Sequence, residues 1–352
     1  MRIILANPRG FCAGVYMAVD VVDQLLDICE GEPIYVFHEI VHNRHVVERF
    51  RSRGVRFVDS VEDIPEGAIC VFSAHGVSPQ VRQTATERRL QVVDATCPLV
   101  TKVHAEAIRY SRKGYQILLV GHADHQEVIG TRGEAPDAIQ VVESPDDIPA
   151  LSIRDPERLV YLTQTTLSMD DAMKIIGALR QAFPAIKEPP SEDICYATTN
   201  RQTAVRRIAP DCDLVLVVGS RNSSNSQRLA EIARNIGTPA HLIDDRSELD
   251  PSWFLGVNTV LVTAGASAPE DLVHDLILHL VRDYGGEIEQ HDIYHERVEF
   301  GLPGTLKEFM RRHGVDPAER RIYRDDAESI DRFLDGHGIA HRTVDLTVGV
   351  TS

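Results

Sequence analysis

Leu90-Gln91-Val92-Val93-Asp94-Ala95-Thr96-Cys97-Pro98 carries a short apolar run into a cysteine, and the proline behind it suits the first turn of a helix. The same order is written at the start of the chain, where Arg2-Ile3-Ile4-Leu5 leads to Cys12-Ala13-Gly14 and a helical stretch through about Asp27. The helix after Cys97 runs through about Arg112. A third copy opens at Cys195-Tyr196-Ala197-Thr198-Thr199-Asn200 and runs as helix through about Ile208, its leading strand too short to read. A long-period repeat of this kind sets the architecture, so it precedes any single motif.

The remainder of each copy repeats as well. A buried strand follows (Ile34–Phe37, Ile117–Val120, Leu214–Val218) and empties into a polar loop. Next come a helix and a short strand ending in acids, Phe57-Val58-Asp59, Val141-Val142-Glu143 and Leu242-Ile243-Asp244. A last strand (Ile69–Phe72, Leu159–Leu162, Thr259–Val262) empties into a second polar loop, and a helix follows with start signals at Ser78-Pro79, Ser168 and Ser267. Uninterrupted apolar strands alternating with helices predict parallel sheets covered on both faces. The fold class is therefore α/β: three similar small units, residues 1–96, 97–193 and 194–300, arranged with pseudo-threefold symmetry, and an extension over 301–352. Ligands of such sheets bind outside the carboxyl ends of the strands, where all three cysteines and all the polar loops lie.

Composition excludes several classes of function. The chain has 352 residues, 43% hydrophobic and 26% charged, which suits a globular protein with a substantial core. Its longest apolar runs are strand-sized, well under the ~18 residues of a membrane span, and the N-terminus reads as a strand rather than a signal peptide. A cytoplasmic, monomeric protein with no membrane partner is expected. A net charge of −16 argues against a nucleic-acid partner and requires that an anionic substrate be held by local donors.

Six cysteines without a C-x-x-C pair make neither a disulfide framework nor a zinc ribbon. Cys29, Cys70 and Cys212 sit in or beside apolar runs and read as small hydrophobes. Cys12, Cys97 and Cys195 stand at strand-to-helix junctions, where backbone N–H groups and the helix dipole favour a thiolate. Three convergent thiolates without a fourth suit one 4Fe–4S cluster with an open iron, at the centre of the three units. The loops bring His42, His75, His125, Thr165, Thr166, Ser223, Ser224, Asn225 and Ser267, donors that hold phosphate without a basic patch. Arg221 and Arg132 are the nearby cations. Glu127 is the only acid among the loop candidates and is placed to give a proton to a leaving hydroxide. His122-x-x-His125-x-Glu127 is not the helical zinc-hydrolase pattern. A reductase of a small diphosphate ester, a non-redox hydro-lyase and an iron–sulfur sensor all remain open on these residues.

Whole motifs narrow the choice. Gly10-Phe11-Cys12-Ala13-Gly14-Val15, Glu39-Ile40-Val41-His42-Asn43, Ser73-Ala74-His75-Gly76-Val77 and Asp94-Ala95-Thr96-Cys97-Pro98 resemble those of one family. So do Thr163-Gln164-Thr165-Thr166-Leu167-Ser168, Ile194-Cys195-Tyr196-Ala197-Thr198-Thr199-Asn200-Arg201-Gln202 and Thr263-Ala264-Gly265-Ala266-Ser267. The chain resembles the 4-hydroxy-3-methylbut-2-enyl diphosphate reductases (IspH, or LytB) from residue 1 to about 300. The resemblance implies an oxidoreductase at the last step of the non-mevalonate (MEP/DXP) isoprenoid route. It would reduce (E)-4-hydroxy-3-methylbut-2-enyl diphosphate to isopentenyl and dimethylallyl diphosphates, with electrons from ferredoxin or flavodoxin. It further implies Cys12, Cys97 and Cys195 as cluster ligands, and His42, His75, His125, Ser223, Ser224, Asn225 and Ser267 as diphosphate ligands. Glu127 would be the proton donor, with Thr165 and Thr166 at the substrate hydroxyl. Gln126 stands where the family usually has proline, and the extension, expected to form one or two helices and a strand packed on the body, resembles no known segment.

Overall fold

The computed structural model describes residues 1–318 and 330–347. In chain order the first elements are β1 (Arg2–Asn7), α1 (Ala13–Ile28), β2 (Ile34–Phe37), α2 (Arg44–Ser52), β3 (Arg56–Val58), β4 (Ile69–Phe72), α3 (Pro79–Glu87) and β5 (Gln91–Asp94). Then come α4 (Pro98–Arg112), β6 (Gln116–Val120), α5 (Gln126–Glu134), β7 (Ile139–Val142), β8 (Leu159–Thr163) and α6 (Met169–Ala182). The third set is α7 (Tyr196–Ile208), β9 (Leu214–Val218), α8 (Ser224–Ile236), β10 (Ala240–Ile243), β11 (Thr259–Ala264), α9 (Glu270–Tyr284) and β12 (Glu287–Asp292). The extension adds α10 (Gly304–Arg312), α11 (Ile330–Gly336) and β13 (His341–Asp345).

These strands form three parallel sheets, ordered β3-β2-β4-β5, β7-β6-β8 and β10-β9-β11-β1-β12-β13. β2, β4, β6, β8 and β9 are buried along their whole length, which explains why their sequences are apolar without alternation. The α/β fold of three units is as the repeat predicts.

Sheets and sequence copies are nevertheless offset by one strand. β1, which opens the first copy, pairs between β11 and β12 in the third sheet, and β5, which opens the second, pairs with β4 in the first. The missing leader of the third copy survives as a single parallel bridge of Lys187 to Val160 beside β8. The helices go the other way. α1 packs on the sheet of β2 and β4, α4 on that of β6 and β8, and α7 on that of β9 and β11. The chain thus leaves one sheet and joins the next unit three times, and a cysteine stands at each crossing. Because every crossing lies at the carboxyl ends of the strands, the three thiols converge.

The extension is part of the body. Leu302, Leu306, Phe309 and Met310 enter the core built by α1 and the first sheet, and the Asp94 amide donates to Thr305 Oγ1 at 2.9 Å. Phe333 and Leu334 pack in the third unit, and β13 adds in parallel to β12, with an Arg342–Glu289 ion pair across the two strands. Two helices and a strand packed on the body match the sequence expectation. Since Phe309 is fully buried, Phe309→Ala should cost about 3–5 kcal/mol of stability, read by denaturant unfolding. An extension merely resting on the surface would lose far less.

Candidate active site

Cys12, Cys97 and Cys195 are the N-caps of α1, α4 and α7. Their junction geometry is as expected. Burial pushes the Cys97 thiol up to about 12 and Cys195 up to about 11, and it raises Cys12 as well. The Arg201 charge beside Cys12 and amide donors at each helix start pull the other way and are outweighed, which favours the protonated thiols. A bound metal reverses that balance, because a coordinated thiol is deprotonated outright.

The thiols share one cavity of about 110 Å3, several times the ~10–15 Å3 that one water needs. All the loop candidates line it with them: His42, His75, His125, Glu127, Thr165, Thr166, Ser223, Ser224, Asn225 and Ser267. Three imidazoles form one wall. His42 stacks on His75 with ring centres 4.0 Å apart, and His125 stands edge-on at 5.5 Å and 5.9 Å from them. Burial first, and mutual repulsion second, hold His75 well below its ordinary value and His125 down to about 4. These two rings are neutral at pH 7. The Glu127 amide donates to His125 Nδ1 at 3.2 Å, so the neutral ring carries its proton on Nε2.

The start of α8 also faces the cavity, and its free N–H groups and dipole suit an anion. Ser223 caps that helix by accepting from the Ser226 amide. Both amide atoms of the Asn225 side chain are buried without a protein partner, a condition a ligand would relieve. Ser267 donates to the His42 carbonyl at 2.9 Å; α9 is capped by Pro269, so Ser267 is not a helix cap as its position suggested.

Glu127, in the first turn of α5, is 2% exposed. Thr165 donates to it twice, from its amide at 2.6 Å and from Oγ1 at 3.0 Å. Both bonds favour the carboxylate, yet burial outweighs them and pushes the acid up to about 7. Gln126 is the first residue of α5 and leaves the capping bond of His125 intact.

Other candidates lie elsewhere. Arg221 is exposed and pairs with Glu248 at 3.3 Å, Arg132 is exposed, and His122 accepts from Arg228 away from the cavity. Cys29 and Cys70 are buried in core, as read. Sequence reasoning missed Gly14, Tyr196, Thr198 and Phe300, which also line the cavity, together with apolar residues such as Val41 and Leu99. Tyr196 Oη accepts from the Ala13 amide at 3.1 Å and ties two cysteine turns together. Nothing local marks Phe300, whereas Gly14 is the cradle of the thiols. A Cβ there would stand 2.6 Å from Cys97 Sγ and 3.9 Å from Cys12 Sγ.

No three His, Cys, Asp or Glu side chains among the described residues are close enough to hold one metal ion. Three thiols spaced around a cavity, with glycine clearing room between two of them, fit a polynuclear group several ångströms across. Gly14→Ala should therefore displace Cys97 and forfeit most bound iron after anaerobic reconstitution. Its far-UV circular dichroism should stay native.

Residues 3–281 match the family described as LytB protein. The chain belongs to the LytB family. A relative from Nocardia farcinica, a 4-hydroxy-3-methylbut-2-enyl diphosphate reductase, is 53% identical over 312 residues, 88% of this chain and 92% of its own. Another from Mycobacterium bovis, 4-hydroxy-3-methylbut-2-enyl diphosphate reductase 1, is 53% identical over 307 residues, 87% of this chain and 91% of its own. Among solved structures, the E-1-hydroxy-2-methyl-but-2-enyl-4-diphosphate reductase of Plasmodium falciparum superposes with a TM-score of 0.86 at 39% identity, covering 89% of this chain and 99% of that one. No helix among the described residues is long and apolar enough to cross a membrane.

Proposed function

We propose that this LytB protein reduces (E)-4-hydroxy-3-methylbut-2-enyl diphosphate to isopentenyl and dimethylallyl diphosphates, the closing step of the non-mevalonate route. The observation that carries this reading is the shared cavity: three thiols, three imidazoles, a helix start and one acid with a raised pKa face one space. Cys12, Cys97 and Cys195 would hold a 4Fe–4S cluster with one open iron. When bound, the cluster supplies two electrons, one at a time, from ferredoxin or flavodoxin. We place the enzyme in the cytoplasm as a monomer, with units at 1–96, 97–193 and 194–300, β1 crossing into the sheet of the third, and a packed extension.

The allylic C–O bond breaks, the two electrons and one proton make the new C–H bond, and the other proton leaves with the hydroxyl as water. The diphosphate lies between the histidine wall and the start of α8. His125 Nε2–H, the Ser223 hydroxyl and the Asn225 amide donate to its oxygens, and the Ser224 and Ser267 hydroxyls join them by turning from the Thr166 and His42 carbonyls. Bringing in that anion favours protonation of the histidines that burial keeps neutral. The substrate hydroxyl lies by Thr165, Thr166 and Glu127. Protonated Glu127 turns its bond to Thr165 around and donates to Oγ1, whose own proton then points at the leaving oxygen.

An anaerobic assay of the reconstituted protein with a chemical reductant and the allylic diphosphate tests this. Two electrons consumed per C5 product are expected. Water release without electron uptake would make the protein a hydro-lyase, and tight cluster binding without turnover would make it a sensor.

A further inference from the structure

Arg201, on α7, is the largest side chain of the core with no exposure at all. A guanidinium has five N–H donors, and here all five are used. Nε and Nη2 donate to the Gly10 carbonyl at 3.2 and 2.8 Å. Nη1 donates to the Ala197 carbonyl at 3.1 Å and to Glu296 Oε1 at 2.9 Å, and Nη2 reaches Glu296 Oε2 at 3.4 Å. Asn200 Nδ2 also donates to Glu296 Oε1, at 3.1 Å.

The three partners are not arbitrary. Gly10 stands two residues before Cys12, and Ala197 two residues after Cys195. Glu296 belongs to the segment that brings Phe300 to the cavity. Among the described residues no Lys or Arg lines the cavity itself, so Arg201 is the buried cation next to it. Its charge acts on Cys12 in one direction and that of Glu296 in the other. A buried ion pair is a poor device for stability alone, since apolar packing of the same volume does as well.

We propose that Arg201 and Glu296 are positioning residues of opposed charge that set the electron affinity of the cluster on Cys12, Cys97 and Cys195, Arg201 raising it and Glu296 tempering it. This rests on the iron–sulfur reading above. One-electron reduction adds a negative charge to the cluster, and a buried cation nearby stabilises the reduced form. The bonds to Gly10 and Ala197 meanwhile fix the Cys12 and Cys195 turns against each other.

The test is the midpoint potential of the reconstituted protein, titrated anaerobically with dithionite and followed by electron paramagnetic resonance. Arg201→Gln should shift it negative and Glu296→Gln positive. Arg201→Lys keeps the charge and loses the fork, so it should hold the potential near wild type and release iron faster to a chelator. A merely structural pair would move the Arg201→Gln and Glu296→Gln potentials in the same direction or not at all, and either result overturns the inference. Should Arg201→Gln fail to fold, Glu296→Gln decides alone: a positive shift sustains the proposal, and a negative shift or none rejects it. Wild-type protein that takes up no cluster refutes the function and this inference together. Wild-type protein that loads normally beside variants with unmoved potentials refutes the inference only.

Discussion

Glu127→Gln is expected to keep its fold and its iron and to lose about 100- to 10,000-fold of turnover. The amide keeps the shape of the side chain, and its oxygen still accepts from the Thr165 amide that now reaches Glu127 at 2.6 Å. It has no proton to give. Steady-state rates on cluster-loaded protein, with iron content measured on the same sample, check the result. Wild-type rates would remove Glu127 from the mechanism.

Its pH dependence has a definite sign. Burial pushes Glu127 up to about 7, so the acid is mostly protonated at pH 6 and mostly ionised at pH 8. Turnover that needs the protonated form therefore falls as pH rises through about 7, and this limb should vanish in Glu127→Gln. Stability follows the same direction. A carboxyl whose folded pKa lies above its unfolded value of 4.5 contributes fully below that value, and the contribution is lost as pH rises through about 7.

Cys195→Ser should abolish iron binding on one of three positions and bring turnover to background, while leaving the metal-free protein folded. The Cys195 sulfur accepts from the Thr198 amide at 3.4 Å as the cap of α7, and serine is a better cap than cysteine. Melting of the metal-free variant should therefore match wild type or exceed it slightly. Cys212→Ser is the control. Its sulfur donates to the Ile208 carbonyl outside the cavity, and iron content should not change. A Cys195→Ser protein with full iron would overturn the ligand assignment.

Much of the fold and most of the site were legible because both are written locally. Each cysteine is followed by a helix start, and each buried strand is a continuous apolar run that ends in a polar loop. Hydrophobic pattern reveals that a strand exists, but not which strand lies beside it. The pairing of β1 with β11 and β12 joins residues more than 250 positions apart, and no local signal marks it. The metal-free charge of the thiols was hidden for a similar reason. The helix start that favours a thiolate is local, whereas the burial that overrides it depends on all three units meeting. Gly14 and Phe300 escaped notice because what matters about them is the distance to residues far along the chain. Ser267 and Pro269 compete for the same cap by spacing, and the bond of Ser267 to the His42 carbonyl leaves the cap to Pro269.

The place of β1 also orders the birth of the molecule. The first strand leaves the ribosome first, yet both its neighbours are made near the end, so its backbone groups wait unpaired while two units form behind it. Cys12 follows β1 directly, and its turn can close only after Arg201 has been made and has docked on Gly10. The cavity that the three cysteines share is therefore complete only once Ser267 and Phe300 have been made. A chain cut short between Cys195 and Ser267 would carry all three of these cysteines and still lack one side of the cavity they share.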